Sequence, residues 1–281
     1  MTKISVMIPT YNRRERLKTA IRSVLAQTDV FFELIIIDDG SEDGTREMVL
    51  HEFPDVKYFS FENQGPAAAR NRGIERASGE WMAFLDSDDE WLPGKLKAQL
   101  EFFSQNPDVL ICQTEEIWIR NGRRVNPMKK HKKHGGWIFE ACLPLCIVSP
   151  SAVMLHRSIF DKIGFFDESL PACEDYDLWL RIAAKYPIGL IETPYIIKYG
   201  GHRDQRSREF PAMDRFRIRS LAKLLSSKEL TPDQTKAAVK ILEEKSRIYC
   251  QGARKRGLEM EAAEIQALTA KTLEISTTFE G

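Results

Sequence analysis

The 281-residue sequence predicts an α/β protein with a mostly parallel central sheet, helices on both faces, and a helical appendage at the C-terminus. Through the first third, β-branched runs alternate with amphipathic helical stretches, an order that builds parallel sheets. After residue 211 only helical periodicity continues. A hydrophobic share of 43%, with 10% aromatics, supplies apolar surface for a sizeable core.

The elements follow in order. "ISVMIP" (4–9) is an apolar run of the kind found in strands covered on both faces. A helical stretch occupies 15–27, and "ELIIIDD" (33–39) is the second strand. A helix opens near Asp43, "VKYFSF" (56–61) reads as a strand, 67–77 as a helix, and "WMAFLD" (81–86) as the next strand. From Pro93 a helix runs to 105, followed by a strand over 109–118 and a turn at Asn121 and Gly122. "KKHKKHGG" (129–136) has the composition of a solvated loop, with contact to a phosphate-bearing substrate as the alternative. An amphipathic helix opens within "LPACEDYDLWLRI" (170–182). In "LTPDQ" (230–234), Thr231 reads as an N-cap, Pro232 as the first helical residue and Gln234 as the partner in a capping box. Another helix starts after Gly257.

Composition excludes several classes. Lys plus Arg and Asp plus Glu each total 41, so no net charge points to nucleic acid. The five cysteines (Cys112, Cys142, Cys146, Cys173, Cys250) contain no C-x-x-C pair, which fits reduced thiols better than disulfides or a zinc site. The N-terminus lacks a signal-peptide pattern. The apolar stretch 142–155 is too short to span a bilayer and is interrupted by Pro144, Ser149 and Pro150. The expectation is a cytoplasmic protein without a transmembrane segment, with peripheral contact at the inner face of the membrane left open.

Open α/β sheets bind ligands beyond the carboxyl ends of their strands. Three polar clusters, "PTYNR" (9–13), "DDGSEDG" (38–44) and "DSDDE" (86–90), follow strands and so face one crevice. Alone, Asp86, Asp88 and Asp89 would read as a capping turn. In this company their density suits Mg²⁺ or Mn²⁺, with a diphosphate completing the shell. Pro9 turns the chain, Thr10 and Tyr11 can hydrogen-bond or stack on a base, and Asp39 can accept the imide N–H of uracil or thymine. Asn63 and Arg70 stand by another helix start.

The ordered motifs "VMIPTYNR", "LIIIDDGSEDGT", "NQGPAAARNRGI", "GEWMAFLDSDDEW" and "ACEDYDLWLR" resemble the inverting, nucleotide-sugar-dependent family 2 glycosyltransferases of GT-A fold. The resemblance covers residues 3–205. It implies a Rossmann-like nucleotide-binding domain with a mixed, mostly parallel sheet over 1–210, its nucleotide half at 1–92 and its acceptor half at 93–210, with the helical extension at 211–281. By the same resemblance Pro9, Thr10, Tyr11 and Asp39 hold the nucleoside, Asn63 and Arg70 support it, and Asp86 faces the ribose. Asp88 binds Mn²⁺ or Mg²⁺, Asp89 supports it, Asp175 is the general base and Glu174 its partner. His202, in "KYGGHRDQRSR" (198–208), is a second metal ligand or a solvated loop residue, and the nearby arginines can face a leaving diphosphate. Trp179 contacts the acceptor or belongs to the core.

The implied activity moves a sugar from a UDP- or dTDP-sugar to a hydroxyl of a saccharide or lipid-linked acceptor, in polysaccharide or glycoconjugate synthesis. A sugar-phosphate nucleotidyltransferase, or a non-catalytic nucleotide-sugar-binding protein, remains the alternative; "TYNRRER" lacks the glycines of the former's activating loop. The C-terminal helices either associate copies of the chain or pack on their own domain.

Overall fold

A computed structural model describes residues 3–126, 128, 131–201 and 209–277. The first half carries β1 (Ile4–Thr10), α1 (Arg14–Leu25), β2 (Phe32–Asp38), α2 (Thr45–Glu52), β3 (Lys57–Ser60), α3 (Pro66–Arg76) and β4 (Trp81–Phe84). Then come β5 (Glu90–Trp91), α4 (Lys95–Gln105), β6 (Ile111–Arg120), β7 (Arg123–Val125), α5 (Phe139–Cys142), β8 (Val153–His156), α6 (Ser158–Ile163), α7 (Glu174–Ala183) and β9 (Gly189–Gly200). Three helices close the chain: α8 (Asp214–Ser226), α9 (Pro232–Lys255) and α10 (Glu259–Thr277).

The strands form one sheet in the order β3-β2-β1-β4-β8-β6-β9-β5, and β7 pairs with the far end of β6. β1 lies parallel to both β2 and β4, in register Ile4↔Phe32 and Ile4↔Trp81. β8 runs antiparallel to β4 and β6, so the sheet is mixed. That reversal brings the start of β8 to the edge where β1, β2 and β4 end.

All seven residues of β1 are buried, and successive side chains serve opposite faces. Val6, Ile8, Leu34 and Ile36 pack with Leu17 and Ile21 of α1, Met48 of α2 and Leu96 of α4. Met7, Ile35 and Ile37 face the other way, toward α3 and the later helices. The alanines of α3 are small because this helix lies close on the sheet: a Cβ on Gly73 would stand 3.2 Å from the Met7 side chain and 3.3 Å from Ile37.

The C-terminal helices share that second core. Phe216, Leu221, Leu242, Tyr249 and Ile265 belong to the same buried cluster as Trp179 and Phe84. The capping box is present: the Thr231 side chain accepts from the Gln234 N–H, and the Gln234 side chain accepts from the Thr231 N–H. The helices thus bury their apolar faces on their own chain, the alternative to leaving them for association. Among the described residues no helix is long and apolar enough to cross a membrane.

Candidate active site

Three strand-end turns are laced together first. The Asp39 N–H donates to Thr10 O at 2.9 Å, Asn12 N–H to Ser41 Oγ at 2.8 Å, and Glu42 N–H to Asn12 Oδ1 at 2.8 Å. Asp39 then reaches the third turn: Oδ1 accepts the Gln64 N–H at 3.0 Å and Oδ2 the Gly65 N–H at 2.7 Å. Gly65 has φ 92°, a left-handed value that lets the chain enter α3 at Pro66. Burial pushes the Asp39 carboxyl above its ordinary range, against the pull of these two N–H groups and Arg72. Asp39, expected at the base, thus has both oxygens on the turn that precedes α3. Pro9 is buried, and Thr10 Oγ1 is buried with no hydrogen-bond partner among the described residues. Tyr11 is 49% exposed and Asn63 is exposed, both at the rim.

The acidic turn after β4 is neutralised largely by the protein's own groups. Asp86 Oδ1 accepts from Arg70 Nη2 at 2.7 Å, and Asp88 Oδ2 lies 2.9 Å from Arg13 Nη1. Burial alone would raise the Asp86 carboxyl, but Arg70, Lys198 and Arg13 hold it below its usual range. Asp89 is buried: its Oδ2 accepts from Ser151 Oγ at 2.7 Å and its Oδ1 from the Tyr199 N–H at 3.3 Å. Burial raises its carboxyl well above the ordinary value. Ser151 Oγ also accepts the Asp86 N–H at 3.1 Å, so one hydroxyl fixes both ends of the turn.

Among the described residues no three His, Cys, Asp or Glu side chains gather as a metal cage. The donor set still fits a hard divalent ion of the kind that keeps waters and takes one or two carboxylates plus substrate phosphates. Asp88, 15% exposed at its side chain and paired with Arg13, and Asp86, 25% exposed and paired with Arg70, are the acids of the turn that stay within reach of such an ion, whereas Asp89 is buried. His202 lies outside the described residues, as do Arg203, Arg206 and Arg208.

The second acidic site opens α7, after Cys173 in left-handed conformation at φ 64°. Its three acids part company. Glu174 Oε1 accepts from Arg70 Nη1 at 2.6 Å, and Asp177 pairs with Arg181 at 2.7 Å. Asp175 is partly exposed and has no cation in salt-bridge reach among the described residues. It accepts from the Tyr176 N–H at 2.7 Å and from Cys146 Sγ at 3.5 Å. Burial raises the Glu174 carboxyl, with Arg70 opposing. Arg70 therefore joins the two acidic sites, one nitrogen on each. It was expected to support a nucleoside; two of its nitrogens, Nη2 and Nη1, are engaged by Asp86 and Glu174.

The structure decides one reading left open and changes another. Trp179 is 1% exposed and meets Phe166 edge to face, so it belongs to the core and offers no platform to an acceptor. Lys133, from the basic tract read as solvated loop, is 3% exposed: its Nζ donates to Gln113 Oε1 at 3.1 Å and lies 3.3 Å from Glu116 Oε2. Lys129 and Lys130 of the same tract lie outside the described residues. Ser151 and Cys146 reach the site without any local pattern that marks them, and Lys198 stands at the head of the quoted "KYGGHRDQRSR", where only His202 and the arginines were singled out. Arg13 stands in the quoted "PTYNR", where only its place beside a strand end was a signal.

A family model described as "Glycosyl transferase family 2" matches residues 5–164. The chain is 34% identical over 199 residues to "UDP-Glc:alpha-D-GlcNAc-diphosphoundecaprenol beta-1,3-glucosyltransferase WfgD" of Escherichia coli, covering 69% of this chain and 74% of that one. It is 45% identical over 189 residues to "Putative teichuronic acid biosynthesis glycosyltransferase TuaG" of Bacillus subtilis, covering 65% and 72%. The crystal structure of S. aureus TarS 1-349 in complex with UDP-GlcNAc superposes with a TM-score of 0.71 at 21% identity, over 97% of this chain and 80% of that one. The match spans 32% of the length of an uncharacterized Rickettsia conorii glycosyltransferase that is 38% identical.

Proposed function

Because the chain belongs to glycosyltransferase family 2 and its enzymes transfer sugars, we propose that this cleft performs an inverting transfer from a UDP- or dTDP-sugar to an acceptor hydroxyl. The observation that carries the reading is the division made by Arg70. It ties Asp86 to Glu174, while Asp88 pairs with Arg13 on the donor side and Asp175, on the other, has no cation in salt-bridge reach among the described residues.

Pro9, Thr10, Tyr11, Asp39 and Asn63 form the wall for the nucleoside, where the buried Thr10 hydroxyl has hydrogen-bonding capacity to spare. Asp88, together with the donor's diphosphate, would hold Mn²⁺ or Mg²⁺. Such an ion, when bound, neutralises the charge that develops on the departing diphosphate. Asp175 takes the acceptor's proton as that oxygen attacks the anomeric carbon. Glu174 orients the first turn of α7 through Arg70. The names of the relatives support a UDP-sugar donor and a lipid-diphosphate-linked saccharide acceptor in surface polysaccharide synthesis. An acceptor of this kind would place the work at the inner face of a membrane.

A paired experiment tests this. Asp175→Asn should lower transfer by about 10²- to 10⁴-fold, the usual worth of a general base, while UDP-sugar affinity stays as in the parent. Asp88→Asn should instead lose the gain in UDP affinity that Mn²⁺ confers, read by calorimetry with and without the ion. Near-normal transfer by the first variant, or unchanged ion-dependent binding by the second, would sink the corresponding assignment.

A further inference from the structure

The cations around the cleft are mostly spoken for. Among the described residues, Arg13 is matched by Asp88, Arg70 by Asp86 and Glu174, and Lys133 by Glu116. Lys198 is different. Its Nζ donates to Ser149 Oγ at 3.0 Å, and among the described residues it has no carboxylate in salt-bridge reach. An ammonium has three donors. The side chain is partly exposed, with the Trp118 ring 5.8 Å away on one side.

Its position is fixed from both directions. On β9 it precedes Tyr199, whose N–H holds Asp89 of the acidic turn. Ser149, which it grips, is two residues before Ser151, the hydroxyl that fixes Asp86 and Asp89. Cys146, at the start of the same segment, touches Asp175. Lys198 thus stands between the acidic turn and the candidate base. Burial would lower its basicity, but Glu116, Asp89 and Asp86 hold the ammonium above its ordinary range, so it is charged throughout the working pH range.

A permanent positive charge here is suited to one of the two reacting partners. As the donor's bond breaks, the anomeric carbon becomes electron-poor and the departing oxygen becomes electron-rich, so a fixed ammonium favours only the latter. We propose that Lys198 contacts the donor's diphosphate and carries part of the charge that builds on it during transfer. The inference rests on the glycosyl-transfer reading above. In the step, a lone pair of the acceptor oxygen forms the new bond to the anomeric carbon, and the electron pair of the old bond goes to the β-phosphate oxygen. The acceptor proton goes to Asp175.

The test compares nucleoside mono- and diphosphates on Lys198→Met and Lys198→Arg in the full chain, with melting curves to establish that both variants fold. UMP affinity should stay within about twofold for the methionine variant, UDP affinity should fall by about tenfold, and kcat by about 10²-fold, as for loss of a donor to developing charge. The arginine variant should recover most of both losses. Equal losses for UMP and UDP would overturn the proposal, since the lysine would then serve the nucleoside wall. A loss seen with the UDP-sugar but not with UDP would also overturn it, by moving the contact to the sugar. So would unchanged UDP affinity with unchanged kcat. If the parent chain binds none of UDP, dTDP or GDP, the glycosyl-transfer reading itself fails, and this proposal falls with it.

Discussion

Replacing Arg70 by methionine would leave the buried Glu174 and the partly buried Asp86 with no charge between them. Removing one member of a buried ion pair commonly costs about 3–5 kcal/mol, because the remaining charge keeps its desolvation penalty. Arg70→Met is therefore expected to lower unfolding free energy by about that much, measured by urea titration at neutral pH. Adding Glu174→Gln to the same chain should return part of the loss. A single variant as stable as the parent would contradict the bridge. At this scale the sequence marked the acids well, because Asp86, Asp88, Glu174 and Asp175 stand beside strand or helix ends where a period change is visible. It did not mark what each acid does. Glu174, Asp175 and Asp177 are near neighbours with the same chemistry, and only their partners separate them: Arg70, brought by α3, for Glu174, and Arg181, one turn along α7, for Asp177.

Between elements, Glu33 shows how adjacent strands are fastened. Its carboxylate accepts from Lys57 of β3 at 2.6 Å, from Ser5 of β1 at 2.6 Å, and from the N–H of Ser78 beyond α3 at 2.7 Å. Burial opposes ionisation, yet these donors win and bring the carboxyl down from 4.5 to about 2. A depressed folded value means that the stabilisation is present above pH 4.5 and is lost as pH falls toward about 2. Glu33→Gln should thus be less stable than the parent at pH 7, and the gap should close as pH falls through that window, followed by urea titrations at several pH values. A gap independent of pH would refute the linkage. The early strands were legible because their apolar runs are continuous. β9 was not, since Pro194 interrupts its pattern, its ladder with β6 shifts register near Glu115, and few of its side chains are fully buried. β5 has two residues, too few for any periodicity.

For the molecule as a whole, the parent and a chain ended after Pro211 should differ sharply. Without α8, α9 and α10 the cluster around Tyr176, Leu180 and Trp179 loses Phe216, Leu221 and Leu225, so the shortened chain is expected to aggregate or to melt far below the parent. Soluble yield and light scattering report this; a soluble shortened chain with the parent's melting temperature would show that the helices are dispensable. The position of β9 carries a consequence for the order in which the chain assembles. This strand is inserted between β6 and β5, and Tyr195 O accepts the Leu92 N–H while the Tyr199 N–H holds Asp89. During synthesis the residues that follow β4 leave the ribosome about a hundred residues before their fastening strand does, and contacts so distant along the chain form late. The nascent first half must therefore wait, with its acidic turn unfastened, until β9 arrives to close the sheet.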